Sequence, residues 1–333
     1  MSSPAARTTI TDVARVAGVS LSTVSRVMNG HPRVDPELAE RVRAVATELG
    51  YSASPLARSL VLGRTQTVAV VIPDLANPTF QAILRGLSRA AADDGYHVLI
   101  ADTAEQVGEE AVLADTTRRR TDGVILCAPR LPAAELAALL PQIGPVVVVN
   151  RPAQADTPTI AADYRAAMAE LVAHLHGLGH RRIAFLDGAV GSASGAARRD
   201  ALAEARAAHP DLDIVEIAAG VDFNAGAAAV DDVMDAGVTA VLAFNDLVAM
   251  GLLSAVGARG IRVPEDLSVV GFDDIPFAAY TSPPLTTAAV PATELGTRAW
   301  AAMHALLTGE QAPPFVSLVP EVIVRASTGP APR

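Results

Sequence analysis

The sequence predicts an N-terminal all-α head that contains a helix-turn-helix, followed by an α/β body of two lobes with doubly wound parallel sheets. Residues 9–30 show two short helical patterns separated by a glycine, and one polar face of this pair is not needed for packing. From residue 67 onward, short apolar runs alternate with amphipathic stretches. That alternation is typical of a parallel sheet covered by helices on both faces. A chain of 333 residues is long enough for both parts.

The first predicted helix begins near Thr11 and ends at Gly18. Thr11 is a favourable N-cap residue, and Asp12 places a carboxylate at the positive end of the helix dipole. The residues expected on its core-facing side are Val13, Val16 and Ala17. Gly18 accepts the left-handed backbone that commonly follows a helix.

The second predicted helix carries residues that would meet DNA. Ser20 is a favourable N-cap, and Val24 and Val27 fall on the side expected to face the core. The opposite side holds Leu21, Ser22, Ser25 and Arg26. A recognition helix enters the major groove with its N-terminal residues, and the donors of arginine match guanine. The alternative is an ordinary helical hairpin with a solvated polar face.

A third helix is predicted to close the head, which spans residues 1–50. Asp35 and Pro36 form a cap and first-turn pair, and Gly50 follows the last apolar position. Its apolar stripe consists of Leu38, Val42, Val45, Ala46 and Leu49. Residues 51–64 are expected to be a linker with a hinge helix near 55–61, which is too short to be stable alone.

Charge is divided unequally along the chain. The net charge is −10, but residues 1–64 carry +3 and the remainder −13. Only the head therefore favours phosphates. No apolar run approaches the ~20 residues needed to span a bilayer, and the first residues lack a secretory pattern, so we expect a cytoplasmic protein. The single cysteine, Cys127, lies in an apolar run, which predicts a buried thiol and leads us to expect neither disulfides nor a zinc site.

The body, residues 65–333, reads as two series of strands and helices. The predicted strands lie near 68–73, 98–101, 123–129 and 145–150, and then near 182–188, 213–218, 240–245 and 268–274. The predicted helices lie near 79–94, 108–120, 132–142, 163–178, 195–208, 224–236, 246–258 and 293–308. Ligands of such sheets bind outside the carboxyl ends of the strands.

Polar side chains collect at those strand ends. They are Asp74, Asn77, Asn150, Arg151, Asn245, Asp246, Asp273 and Asp274, with Phe80 nearby as an aromatic side chain. Carboxylates, amides and guanidinium groups suit a small polyhydroxylated ligand bound between two lobes. The alternative is that the Asp and Asn residues only cap the helices that follow, as Asp246 could.

In this arrangement the chain resembles the LacI/GalR family of bacterial transcriptional regulators over about residues 8–328. The similar stretches are TITDVARVAGVSLSTVSRVMNG, GYSASPLARSL, IPDLANPTF, TDGVILCAP, LGHRRIAFLDG, FNDLVAMG, VPEDLSVVGFDD, SPPLTT and VIVRAST. The resemblance implies a homodimer that binds a pseudo-palindromic operator. It also implies a small effector, a sugar or sugar derivative, held between lobes akin to periplasmic sugar-binding proteins.

The same resemblance implies particular residue roles and lobe boundaries. Leu21, Ser22 and Arg26 would read bases, and Leu60 would wedge into the minor groove. The wider DNA-contacting set is Thr11, Ser20, Ser25, Asn29 and Ala57. In the cleft, Arg198 and Asp273 match a ligand-binding pair, Asn150 and Asn245 match further polar contacts, and Phe80 matches an aromatic wall. The lobes implied are about 65–162 with 291–319, and about 163–290 with 320–333.

Three positions depart from the family pattern. Ala53 stands where a proline is usual, which leaves the link before the hinge less rigid. Thr79 and Ser192 replace an aromatic residue and an arginine of purine-responsive members, so a purine effector is disfavoured. The C-terminal segment is too short for a tetramerising tail, which limits the expected assembly to a dimer.

Two other classes of protein share part of this pattern. A sugar-binding protein of a transporter would share the two-lobed body, but the absence of an export signal argues against it. An enzyme on a doubly wound sheet would need a phosphate-binding glycine motif after a strand, and the sequence has none. His174 and His176 point to different faces of a helix, so neither a metal site nor a cofactor is expected.

Overall fold

A computed structural model describes residues 8–28, 33–51 and 63–332. The chain divides into two compact units, Met1–Gln66 and Thr67–Arg333. Within the described ranges, no helix is both long and apolar enough to cross a membrane.

The described part of the head contains three short helices packed around a small apolar core. They are α1 (Ile10–Ala17), α2 (Leu21–Met28) and α3 (Pro36–Glu48). Val13, Val24 and Val42 are fully buried where the helices meet. Asp35 caps α3 by accepting the Leu38 N–H, as the sequence predicts.

The start and the buried face of α1 differ from the prediction. Thr9, rather than Thr11, is the N-cap residue, and the Asp12 carboxylate accepts the Thr9 N–H at 3.0 Å. Thr11 therefore lies inside the helix and is exposed. Val16 is also exposed, and Ala14 is buried in its place, because a helix this short presents a single narrow face to the core.

The body begins with alternating strands and helices. These are β1 (Thr67–Ile72), α4 (Pro78–Asp93), β2 (His97–Asp102), α5 (Val107–Arg118), β3 (Gly123–Cys127), α6 (Ala133–Leu139), β4 (Val146–Val149) and β5 (Thr159–Ala162). The strands form a parallel sheet in the order β11-β5-β4-β3-β1-β2, in which β11 (Phe315–Leu318) comes from far along the chain. Cys127 is buried in this sheet, and burial raises the pKa of its thiol to about 12.

A second parallel sheet follows, with its own helices. The elements are α7 (Tyr164–Gly177), β6 (Arg182–Asp187), α8 (Ala193–Ala208), β7 (Asp213–Ala218), α9 (Phe223–Ala228), α10 (Val230–Asp235), β8 (Ala240–Ala243), α11 (Asp246–Ala258) and β9 (Ser268–Val270). The strand order is β7-β6-β8-β9. We call the part built on the first sheet the first lobe and the part built on this sheet the second lobe.

The end of the chain connects the two lobes. It contains β10 (Thr287–Ala289), α12 (Ala292–Thr308), β11 and β12 (Glu321–Ile323), and β10 pairs antiparallel with β12. Helix α12 packs along α4 of the first lobe. The approach is close because glycines face the neighbouring backbone: a Cβ on Gly296 would lie 2.0 Å from the Ile83 carbonyl oxygen.

The sequence patterns did not predict every element of the body. The short strands β5, β10, β11 and β12 were missed. The helix predicted near 224–236 is two shorter helices, α9 and α10, which meet at Ala229.

Candidate functional site

The exposed side of α2 is the candidate DNA-reading surface. Leu21 is 48% exposed, and Ser22 and Arg26 are exposed as well. Ser25 is half-buried on the same helix. Ser20 is exposed and lies at the start of the helix, where its hydroxyl oxygen accepts the Thr23 N–H at 3.2 Å. The other candidate DNA contacts, Asn29, Ala57 and Leu60, lie outside the described residues, as does Ala53.

In the body, the centre of the candidate site is Arg198 on α8. This side chain is 2% exposed, yet its guanidinium carbon lies over three aromatic rings. The distances to the ring centroids are 4.7 Å for Tyr164, 4.6 Å for Phe244 and 4.0 Å for Phe272. Such stacking offsets part of the cost of burying the charge. Burial nevertheless lowers the pKa of Arg198, and the carboxylate of Asp273 acts in the opposite direction.

Neighbouring residues provide hydrogen-bond partners for only part of the Arg198 guanidinium. One terminal nitrogen donates to the Ser194 hydroxyl at 3.1 Å. The Nε group is buried and has no hydrogen-bond partner among the described residues. A buried donor without a partner is costly, so it is available to a ligand that supplies an oxygen.

Asp273 faces the same cleft from the loop after β9. Its backbone has a φ of +110°, a conformation that residues with side chains seldom adopt and that is often found at functional sites. Its Oδ2 accepts the hydroxyl of Thr79 at 2.9 Å, and Thr79 belongs to the first turn of α4. This bond joins the second lobe to the first. Burial raises the pKa of Asp273 to about 6, against the opposing effects of Arg198 and Thr79.

Three predicted amides reach the cleft but already have structural partners. Asn77 caps α4, and Asn245 caps α11 by accepting the Val248 N–H. Asn150 donates to the hydroxyl of Tyr164 at 2.9 Å and accepts the N–H of Ala162 at 3.1 Å. The amides therefore hold the walls of the cleft in place.

The cleft between the lobes is narrow. The cavity enclosed near Arg198 and Asp273 has a volume of about 30 Å³, close to that of one water molecule. Pockets that bind small organic ligands usually measure ~300–1,000 Å³. The cavity at Arg198 is therefore much smaller than such a pocket, and a larger cavity of about 680 Å³ lies beside it, on the other side of Thr79 and Asp273.

Comparison with known proteins explains why a candidate DNA-reading surface and a candidate ligand cleft occur in one chain. A sequence profile of bacterial regulatory proteins of the lacI family matches residues 9–54. A profile of the periplasmic binding protein-like domain matches residues 172–328. The HTH-type transcriptional repressor CytR of Escherichia coli (strain K12) is 34% identical over 331 residues, which is 97% of each chain. The chain belongs to the LacI family.

Solved structures agree with this assignment. The Lac repressor dimer bound to operator and the anti-inducer ONPF superimposes with a TM-score of 0.87 at 26% identity, covering 97% of this chain and 100% of that one. A LacI family transcriptional regulator from Enterococcus faecium with bound ribose gives a TM-score of 0.69 at 25% identity, covering 79% and 99%. The relatives are DNA-binding transcriptional regulators, not enzymes.

The structure does not bring every predicted effector residue of this LacI-family chain to the cleft. Asp74 turns back on its own loop and accepts the Ala76 N–H at 2.7 Å. Arg151 lies beside the cleft, where it lines a separate cavity of about 280 Å³ and donates to the carbonyl of Pro129. Asp246 is fully buried beneath the cleft.

Asp246 holds the loop that carries Asp273. Its two carboxylate oxygens accept the Ile275 N–H at 2.8 Å and the Thr287 hydroxyl at 2.6 Å. Asn245, not Asp246, caps α11. Burial, with a further contribution from the charge of Asp273, raises the pKa of Asp246 well above its usual value.

Several cleft residues of this LacI-family chain were not among the predicted ligand contacts. They are Thr79, Glu105, Arg130, Tyr164, Ser194 and Phe244. Arg130 and Phe244 closely follow β3 and β8, so the strand-end rule was sufficient to find them. Arg130 is held by Glu105 through two hydrogen bonds of 2.9 and 2.8 Å. Tyr164 follows β5, a strand that the sequence pattern did not reveal.

Proposed function

We propose that this LacI-family chain is a homodimeric repressor that acts in the cytoplasm and binds a pseudo-palindromic operator through Leu21, Ser22 and Arg26. Three observations support the proposal. The exposed side of α2 presents these side chains together, and the head is the positively charged part of a negatively charged chain. The similar Lac repressor is a dimer on its operator.

We further propose that a sugar or sugar derivative binds between the lobes and controls operator affinity. The observation that carries this proposal is the pairing of Arg198, whose buried Nε lacks a partner among the described residues, with the Asp273 carboxylate on the same cleft. Sugar hydroxyls are both donors and acceptors, so one ring can satisfy both groups. Phe80 and Phe244 supply apolar walls for the ring. The related regulator from Enterococcus faecium holds ribose.

Control of the head would follow from movement of the lobes. A ligand that enters the narrow cleft separates Thr79 from Asp273 and favours a different lobe arrangement. Such coupling between sites is typically worth ~1–3 kcal/mol. We propose that it acts through residues 51–64, with Leu60 and Ala57 contacting the centre of the operator.

The experiment first selects bound genomic fragments with the purified full-length chain, which identifies an operator and suggests effectors from the neighbouring genes. Operator affinity is then measured by fluorescence anisotropy while candidate sugars are titrated. Asp273→Ala is expected to abolish the response and to keep operator binding. The matched control is Asp74→Ala, which removes an aspartate that lies outside the cleft. A normal response of Asp273→Ala at unchanged sugar concentrations would show that the cleft is misassigned.

A further inference from the structure

Two imidazoles and one carboxylate converge on the second lobe, at the opposite end of α7 from Tyr164. His176 is in the last turn of α7, His209 follows the end of α8, and Asp211 lies in the loop before β7. One potential ligand atom from each of the three side chains lies within 4.8 Å of the other two. The spacing of His174 and His176 predicted no metal site, because the second imidazole of this cluster comes from the end of another helix.

The cluster is compact and accessible. The rings of His176 and His209 have centroids 4.2 Å apart and planes at 35°. The Nε2 atom of His176 is 3.4 Å from Oδ2 of Asp211. The side chain of Asp211 is 55% exposed and that of His176 is 20% exposed, so an ion could enter from solvent.

Besides the hydrogen bond between His176 Nε2 and Asp211 Oδ2, other contacts hold the three residues in position. Arg181 donates through one terminal nitrogen to the backbone carbonyl of His176 at 2.8 Å, and its Nε lies 2.7 Å from Oδ2 of Asp211. The backbone N–H of His209 donates to the Ala205 carbonyl at 2.9 Å. Arg181 adds positive charge nearby, and the ion pair that it forms is with Oδ2 of Asp211.

The two other histidines of this region form hydrogen bonds with residues outside the cluster. His174 hydrogen-bonds the Thr328 hydroxyl at 3.0 Å. His180 is buried between the Thr239 hydroxyl, at 2.8 Å, and the carbonyl of Gly329, at 3.0 Å. Neither histidine joins the cluster, whose second imidazole comes instead from the next helix.

We propose that His176, His209 and Asp211 form a binding site for a divalent transition-metal ion of the Zn²⁺ class. Two imidazoles and a carboxylate are typical ligands of Zn²⁺, Ni²⁺ and Cu²⁺, whereas Ca²⁺ and Mg²⁺ prefer sites made only of oxygen. Water would complete the coordination on the exposed side. The ion would tie the end of α7 to the loop before β7 and so stabilise the second lobe.

Isothermal titration of the tag-free, metal-stripped full-length chain with ZnCl₂ at pH 7.5 tests the site. We expect one Zn²⁺ per chain with micromolar affinity. His209→Ala and Asp211→Asn should weaken binding at least tenfold. His97→Ala removes an exposed histidine on β2 of the first lobe and should leave binding unchanged. Circular dichroism checks that each variant is folded.

Thermal unfolding gives a second, independent readout. Zn²⁺ should raise the unfolding midpoint of the wild-type chain and of His97→Ala, and it should not raise that of the double variant His176→Ala/His209→Ala. Unaltered Zn²⁺ affinity in the double variant would overturn the proposal. So would the absence of wild-type binding at submillimolar Zn²⁺.

Discussion

Replacing Asp273 with asparagine removes one charge from the cleft and should change how stability depends on pH. Asparagine keeps the shape of the side chain and an oxygen that can accept the Thr79 hydroxyl. Burial raises the pKa of Asp273 from 3.8 to about 6. Because the folded-state pKa lies above the unfolded one, the folded state is penalised once the group ionises.

The direction and size of this effect follow from the pKa values. The penalty is absent below about pH 4, grows as the pH rises towards 6, and is constant above that value. A rise from 3.8 to about 6 corresponds to ~3 kcal/mol at most. The residue is partly exposed, so screening by solvent reduces the penalty to ~1–2 kcal/mol. The wild-type chain should therefore gain about 1 kcal/mol from this group between pH 7.5 and pH 5.

Urea unfolding followed by circular dichroism at pH 7.5 and pH 5 measures the effect. Comparing wild type with Asp273→Asn cancels the contributions of groups that are unaffected by the change. Asp246 is coupled, because the charge of Asp273 raises its pKa, and loss of that charge reduces the pH dependence further. The variant should be more stable than wild type at pH 7.5, and the difference should shrink at pH 5. Equal pH dependence of the two proteins would refute the reasoning.

Three further predictions concern other parts of the chain. Arg26→Ala should reduce the difference in binding free energy between the preferred base and the others at one base pair of each half-site by ~1–3 kcal/mol, measured with randomised operators. Equal loss of affinity for all operator sequences would instead indicate that Arg26 contacts the DNA backbone. Gly296→Ala should lower the free energy of unfolding in urea by ~1–3 kcal/mol because the new Cβ would meet the backbone of α4. The control is Gly108→Ala, which should not be destabilising because the space around Gly108 is open. Glu110→Ala should lower the same free energy by ~1–3 kcal/mol because two buried backbone N–H groups lose their acceptor, and Glu109→Ala, on the exposed side of α5, should be near neutral.

The parts of the fold that the sequence predicted are those set by local chemistry. Asp35 and Asn77 were expected near helix starts or strand ends, and each accepts a backbone N–H within its first helical turn. The long apolar runs became central strands because a strand buried on both faces has little choice of residue type. Asp273 was predicted from its place at a strand end and Arg198 only from the family resemblance, and the structure brings both to one cleft.

The parts that were missed depend on distant segments of the chain. Strand β5 has the sequence TIAA, and alanine is a weak strand former. Its strand conformation is stabilised by pairing with β4 on one side and β11 on the other. The cluster of His176 and His209 likewise depends on how α7 packs against α8, which no local pattern reports.

The position of β11 in the first sheet has a consequence for synthesis on the ribosome. Strand β5 leaves the ribosome long before its partner Phe315–Leu318, and at 5–20 residues per second the interval is roughly 8–30 s. During that time the outer edge of β5 and the apolar side of α4 that later meets α12 have no cover. The head can fold as soon as it has been synthesised, because all of its core residues lie within residues 10–51. A message cut short before β11 would therefore yield a folded DNA-binding head attached to a body that attracts chaperones and proteases.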